Sequence, residues 1–266
     1  MDRNGWQLSE DGPDAYETYI VPAFTGTWAQ EMVNRAFLRD GESLLDVACG
    51  TGIVARTAAD EVDDTHLIHG IDINGELIKK ARKIGKNMNW HQGDVAEMPF
   101  EPESFDVILC QQGLQYFPDP FRALKEMHRV LAENGRMLLS VWRPIRYSPF
   151  YESLCTVLRE FVSIESASLL SAAYTKGDYG KLKKLIEDAG FHSIHISIVI
   201  KQMSFSPFET FVMKGMMASP FSDEIKKMED SKREEMLSAM FELNRNYIDD
   251  SGLSAPTESY IVSAKK

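Results

Sequence analysis

The chain is poor in cysteine. Only Cys49, Cys110 and Cys155 occur, an odd number with no Cys-x-x-Cys spacing. That excludes a disulfide or zinc framework and fits free thiols in a reducing compartment. Long apolar runs are missing too: the longest, such as 194–200, are strand-sized and far short of the roughly 20 residues that a membrane-spanning helix needs. The opening MDRNGWQLSEDGPDAY has no basic-then-apolar order, so no signal or transit peptide is expected and the expected location is cytoplasmic. Positive charge is the third scarcity, with 29 Lys and Arg against 40 Asp and Glu and a formal net charge of −11. Holding a phosphate backbone depends on cations that release counterions, so no nucleic-acid partner is expected, and no membrane either. Lys79, Lys80, Arg82, Lys83 and Lys86, the densest cationic stretch, read as the solvated face of one helix.

What is present is an ordinary globular balance over 266 residues, 44% hydrophobic and 26% charged, enough to bury a core without staples. From residue 42 to 140, apolar runs alternate with helical patterns, the signature of βαβ units. Strands are expected at 43–48, 66–72, 88–94, 105–111 and 135–142, the fourth nearly continuous in apolar residues as a strand covered on both faces should be. Helices are expected after the Asn74 cap, between 119 and 133, and from 178 to 189. Residues 191–205 read as a long strand and 259–266 as a short one, with mainly helical insertions at about 143–177 and 206–257. The fold class expected is α/β: a Rossmann-like, doubly wound, mostly parallel seven-stranded sheet with helical cap insertions.

In such sheets ligands bind beyond the carboxyl ends of the strands, where the strand order reverses. The first loop there runs from Asp46 to Gly52, with Gly50 and Gly52 allowing a sharp turn and a close approach of ligand to backbone. The helix that follows presents free N–H groups to an anionic moiety. Gly50-Thr-Gly52-Ile-Val-Ala55 also fits a dinucleotide fingerprint, so a nicotinamide or flavin oxidoreductase remains open at this point. Asp72, ending the second strand, suits the hydroxyls of a ribose in either case. Asp94 ends the third strand, where a carboxylate can accept from an adenine amino group, and Gln111 ends the fourth, facing the same crevice.

LLDVACGTG (44–52), GIDIN (70–74), QGDVAEMPFEPESFDVI (92–108) and GLQYFPDPFRALKEMHRVLAENGRMLLSVW (113–142) together resemble the class I S-adenosylmethionine-dependent methyltransferases. Within that family the likeness is to the ubiquinone/menaquinone-biosynthesis type and related small-molecule enzymes. It is specific from Ser43 to Trp142, and weaker beyond Phe191. Ala48 departs from the glycine many members carry. The resemblance implies a cofactor, S-adenosylmethionine, leaving S-adenosylhomocysteine as product. It implies that Gly50, Thr51 and Gly52 cradle the methionine part, that Asp46 faces its amino group, and that Ala48 lies alongside. Asp72 and Ile73 would take the ribose, Asp94 and Val95 the adenine, and Gln111 would lie near the sulfonium. A helical lid over the cofactor is implied for residues 1–40, with Tyr16, Tyr19, Phe24 and Trp28 as its aromatic candidates, and the methyltransferase domain for 41–266, the insertions forming a substrate cap.

The reaction expected is methyl transfer to an O, N or C atom of a small-molecule acceptor by a monomer or homodimer. The rivals are a dinucleotide-dependent oxidoreductase and a non-catalytic S-adenosylmethionine-binding protein. Gln115, Tyr116 and Trp142, just after the fourth and fifth strands, are candidates for acceptor contact. Met213, Met216 and Met217 either line an apolar pocket or form ordinary helix core. No metal site is expected: His66 and His69, and likewise His192 and His195, face opposite sides of their strands. Cys49 reads as packing, and no catalytic residue can be assigned, because the family has no universal one.

Overall fold

The structure, a computed structural model, describes residues 12–266; the start of the expected lid, residues 1–11, lies outside the described residues. A sheet is built from β1 (Leu44–Val47), β2 (Ile68–Asp72), β3 (Asn89–Gln92), β4 (Phe105–Gln111), β5 (Leu131–Trp142), β6 (His192–Phe205), β7 (Ile248–Asp249) and β8 (Gly252–Lys265). Seven strands lie in the order β3-β2-β1-β4-β5-β8-β6, and the two-residue β7 pairs with β8. The first five are parallel, while β8 runs antiparallel to both β5 and β6. The order reverses between β1 and β4, which places a crevice beyond their carboxyl ends.

Helical turns from α1 (Gly12–Ala15) continue through a π-helical segment, Tyr16–Thr25, into α2 (Gly26–Ala36). Next come α3 (Ile53–Ala59), α4 (Gly75–Ile84) and α5 (Pro120–Val130), each a crossover between parallel strands or the approach to one. Asn74 caps α4 by accepting from the Glu76 and Leu77 N–H groups, and Asp119 caps α5 through the Arg122 N–H. The first insertion forms α6 (Pro149–Phe161) and α7 (Ile164–Ala172); α8 (Tyr179–Asp188) returns to the sheet. The second forms α9 (Phe208–Met217), α10 (Ser222–Lys226) and α11 (Asp230–Asn244). One face of the sheet buries Leu45, Val47, Ile108 and Val262 against α5 and α8. The other buries Leu44, Val107, Leu109 and Ile261 against α2, α3 and the inserted helices.

The last strand is longer than the sequence pattern indicates. It begins at Gly252 rather than near residue 259, because Gly252 (φ 112) closes a hairpin from β7 and Leu253, Ala255 and Thr257 bury alternate side chains. The second insertion is correspondingly less helical toward its end. Trp90 is held among three glycines, since a Cβ on Gly52, Gly70 or Gly85 would overlap its indole.

His69 and His91 meet across β2 and β3, a pairing that the spacing along either strand does not reveal. Their rings stack at 5.3 Å and 3°, with His69 Nδ1 3.1 Å from His91 Nε2. Asn89 Nδ2 donates to the His66 carbonyl at 2.7 Å, which fixes its amide orientation, and lies 3.3 Å from His69 Nε2. His69 Nε2 therefore accepts, His69 Nδ1 carries the proton, and His91 Nε2 accepts in turn. A further proton on either ring breaks this chain, and burial already lowers both imidazoles from 6.5. A lowered folded value means weaker proton binding in the folded state. The contribution is thus complete above about pH 6.5 and is lost as pH falls through the lowered values. Urea unfolding should show a falling midpoint between pH 7.5 and 5.5, with a smaller fall in His91→Gln; equal falls would remove the pair from the account.

Candidate cofactor and acceptor site

The site begins where β1 ends. Ala48 (φ 55), Gly50 (φ 58) and Gly52 (φ 85) are left-handed and fold the chain back into α3. Ala48 bears its Cβ in a conformation that costs about 1–2 kcal/mol for a residue other than glycine. It fits because Gly113 opposite has none; a Cβ there would lie 2.8 Å from that of Ala48.

Two carboxylates brace the loop from below. Asp72 accepts from the Gly50 N–H at 2.9 Å through one oxygen and from the Asn74 N–H at 2.8 Å through the other. Burial raises its pKa against these bonds. Asp46 is buried, accepts from the Ala55 N–H at 3.0 Å, and is pushed up to about 8 by burial and by the neighbouring Asp72 charge. A cationic group seated beside this pair would relieve both shifts. Arg56 reaches over the loop, donating to the Thr51 carbonyl at 2.5 Å and to both Glu17 oxygens at 3.0 and 2.9 Å. The pair ties the π-helical segment to the glycine loop, and Lys80 of α4 pairs with Asp14 of α1.

A single cavity of about 320 Å³ runs from this loop into the inserted helices. At one end are Ala48, Gly50, Asp72, Ile73, Leu77, Asp94 and Val95; Gln111 and Tyr16 stand mid-way. Gln111 donates to the Thr25 carbonyl at 3.1 Å, while its Oε1 is buried without a partner. Thr51 Oγ1 is likewise buried and unpaired. Paired carboxylates, a left-handed glycine turn, apolar Ile73, Leu77 and Val95, and an orphaned amide oxygen are what an adenosine bearing an amino-acid tail requires.

Residues 45–139 match the family model described as a methyltransferase domain. This chain is a class I S-adenosylmethionine-dependent methyltransferase. The demethylmenaquinone methyltransferase of Staphylococcus aureus is 29% identical over 184 residues, which are 64% of this chain and 76% of that protein. Among solved structures, a methyltransferase from an antibiotic biosynthesis pathway of Anabaena variabilis shares the fold with a TM-score of 0.65 at 13% identity, covering 90% of this chain and 97% of that one. So does a Haemonchus contortus phosphoethanolamine N-methyltransferase in complex with S-adenosyl-L-methionine, with a TM-score of 0.60 at 18% identity, covering 97% of this chain and 57% of that one. The methyltransferase uses S-adenosylmethionine and transfers its methyl group to a small-molecule acceptor.

Of the residues singled out in the sequence of the methyltransferase, Tyr16, Phe24, Ala48, Gly50, Asp72, Ile73, Asp94, Val95, Gln111, Tyr116, Trp142 and Met216 stand on the cavity wall. Asp46 and Thr51 lie just behind it. Gly52 faces Trp90 instead of the cavity. Tyr19, Trp28 and Gln115 are packed away from the lining, as are Met213 and Met217, and Trp28 is wholly buried. The cap end adds residues the sequence did not mark: Phe150, Tyr151 and Leu154 of α6, Leu170 of α7, Ala173 and Tyr174 after it, and Phe211, Val212 and Phe221. The spacing of Phe150, Tyr151 and Leu154 on one helical face is a signal for these, but it serves equally for ordinary core.

Proposed function

We propose that the methyltransferase acts on an uncharged, flat aromatic acceptor lying in the cap end of the cavity. One observation carries this: among the described residues, that end of the lining holds no Lys, Arg, His, Asp or Glu, and aromatic rings make its walls. Phe24 stacks on Trp142 at 5.0 Å and 13°, and Trp142 on Tyr174 at 6.2 Å and 22°. A phosphate, carboxylate or ammonium brought there would leave water with no partner, at several kcal/mol. A relative named for demethylmenaquinone supports a ring-shaped acceptor.

Bound at the other end, S-adenosylmethionine supplies an electrophilic methyl group on a positively charged sulfur. Asp72 and Ile73 would hold its ribose and Asp94 and Val95 its adenine. The backbone of Ala48 and Gly50 would hold the methionine part, with Asp46 toward the amino group and Gln111 toward the sulfur. The protein's contribution is to align the two reactants and keep water out, which can supply about 7–11 kcal/mol of a barrier. Tyr16 is pushed up to about 12 and Tyr116, Tyr151 and Tyr174 are also raised, all by burial. These phenols stay protonated and do not remove protons.

Residues 12–40 serve as a lid, which the Glu17–Arg56 and Asp14–Lys80 pairs support, and the inserted helices as the acceptor's cap. The net charge of −11 supports a free metabolite over a nucleic acid. No described helix is long and apolar enough to cross a membrane, and a cytoplasmic location is proposed in keeping with that. One chain's own residues line the cavity, so a monomer or a homodimer would serve.

Calorimetry tests this reading. S-adenosylhomocysteine should bind saturably and NAD should not. Protein loaded with it should then bind 1,4-dihydroxynaphthalene and 2-naphthol but neither phosphoethanolamine nor histamine. Binding of a charged amine with no ring compound bound would overturn the acceptor class.

A further inference from the structure

The π-helical segment Tyr16–Thr25 is a strap shared by the two ends of the cavity: Tyr16, Ile20, Phe24 and Thr25 all stand on its wall. Phe24 belongs to the cap end, stacked on Trp142 and 5.4 Å from the Tyr151 ring. Ile20 meets α9 so closely that a Cβ on Gly215 would lie 3.3 Å from its Cδ1. Whatever fixes this strap therefore shapes the cofactor end and the acceptor end together.

The polar ties on the strap and its approach are unequal. Asp14, the partner of Lys80, has a side chain that is 75% exposed, so solvent competes for that pair. Gln111 gives the Thr25 carbonyl a neutral bond at 3.1 Å. Glu17 and Arg56 are shielded, with side chains 17% and 20% exposed. Arg56 Nη2 reaches both Glu17 oxygens, at 3.0 and 2.9 Å, while its Nη1 donates to the Thr51 carbonyl of the glycine loop at 2.5 Å. One rigid, planar guanidinium thus grips strap and loop at once, a geometry that the single ammonium of a lysine does not offer. Beneath the loop, burial raises the Asp46 carboxyl and the Arg56 charge opposes that rise.

We propose that Arg56 is a positioning residue for both reactants, with Glu17 as its hold on the strap: their pair sets how long S-adenosylhomocysteine stays bound and how firmly the acceptor's ring is held. This deepens the assignments of residues 12–40 as a lid and of an uncharged aromatic acceptor, and rests on them. Neither side chain lines the cavity; Glu17 acts through the strap, and Arg56 through the strap and the Thr51 carbonyl. Truncating one partner of a shielded charge pair strands the other, and the effect falls on dissociation.

The experiment follows release of radiolabelled S-adenosylhomocysteine chased with the unlabelled compound. Glu17→Gln should release it about tenfold faster than the unaltered enzyme. Arg56→Met should release it at least as fast, and the double variant no faster than Arg56→Met, because Glu17 acts only through Arg56. Calorimetry of 2-naphthol on the loaded proteins reads the other end, where Glu17→Gln should weaken binding about fivefold. A merely structural role would lower the melting temperature and leave release unchanged. Release from Glu17→Gln within about twofold of the unaltered rate, or additive effects in the double variant, would overturn the role of the pair. Faster release with 2-naphthol binding unchanged would overturn its acceptor half. Tyr16→Ala separates the pair from the lid: if it speeds release while Glu17→Gln does not, the lid stands without this pair, and if neither does, the lid falls too. Failure of the unaltered enzyme to bind 2-naphthol would overturn the acceptor class, and the release rates would still decide the pair's hold on the cofactor.

Discussion

Replacing Asp72 by alanine is expected to lower the affinity for S-adenosylhomocysteine by more than about 100-fold, measured by calorimetry. The carboxylate has two duties at once. Its oxygens accept from the Gly50 and Asn74 N–H groups at 2.9 and 2.8 Å, so it ties the glycine loop to the start of α4. It also stands on the cavity wall with lone pairs left for a ligand. Hydrogen bonds to a charged group contribute about 1.5–3 kcal/mol each, and losing the ligand's bonds together with the loop brace gives at least the stated factor. The folded protein should suffer less than the binding does, because burial already opposes the charge of Asp72. Asp72→Asn separates the duties: one amide oxygen keeps a brace bond and should retain part of the affinity. An alanine variant that binds within about threefold of the unaltered protein would remove Asp72 from the cofactor site.

The largest loss of stability is expected from Gly52→Ala, although its neighbour Gly50 occupies the same loop. Both glycines are left-handed, at φ 58 for Gly50 and 85 for Gly52, and that alone costs a non-glycine residue about 1–2 kcal/mol. They differ in what a Cβ would meet. At Gly50 nothing lies within 4 Å, whereas a Cβ at Gly52 would lie 2.6 Å from Trp90 Cζ3 and closer still to Cη2. Trp90 cannot retreat: its Nε1 donates to the Gly85 carbonyl at 2.7 Å and its ring is wedged against Gly70 and Gly85. Overpacking adds about 1–3 kcal/mol, so Gly52→Ala should lose about 2–5 kcal/mol and melt roughly 10 °C lower. Gly50→Ala should lose less than half of that. Trp90→Phe, combined with Gly52→Ala, should recover part of the difference. Equal melting of the two single variants would mean that the tryptophan is not the cause.

The part of the fold that was legible in the sequence is the part whose signals are local. Asp46, Gly50 and Asp72 each sit within a few residues of a strand end, so a run of ten letters displays both the strand and the turn. The role of Gly52 was not legible. Its partner is 38 positions away and shares its seat with Gly70 and Gly85, a packing that no spacing along the chain encodes. The lid aromatics divide for a different reason. Tyr16, Tyr19, Phe24 and Trp28 are all aromatic candidates of a helical lid in the sequence, but Tyr16–Thr25 is π-helical, and its wider turn changes which side chains share a face. Tyr16 and Phe24 reach the cavity, whereas Trp28, in α2, is turned into the core with its Nε1 unpaired. The hairpin through Gly252 was hidden by Pro256, which suggests a break, yet this proline pairs with Gln202 inside β8. In the inserted helices, apolar stripes have the same period whether they line a chamber or fill a core. Met216 on the wall beside Met213 and Met217 off it shows how little the letters alone separate them.

The lining residues that solvent reaches freely are Ile73, Asp94 and Pro118, all toward the adenosine end. Everything around the acceptor's end is buried or half-buried, from Trp142 and Leu154 to Met216 and Phe221. Such a chamber has a front door that one substrate blocks once seated, and its rear is closed by helices. A methylated ring seated there would leave either after S-adenosylhomocysteine has vacated the front or past a shift of α6, α7 or α9, so the order of product release is set by the shape of the chamber.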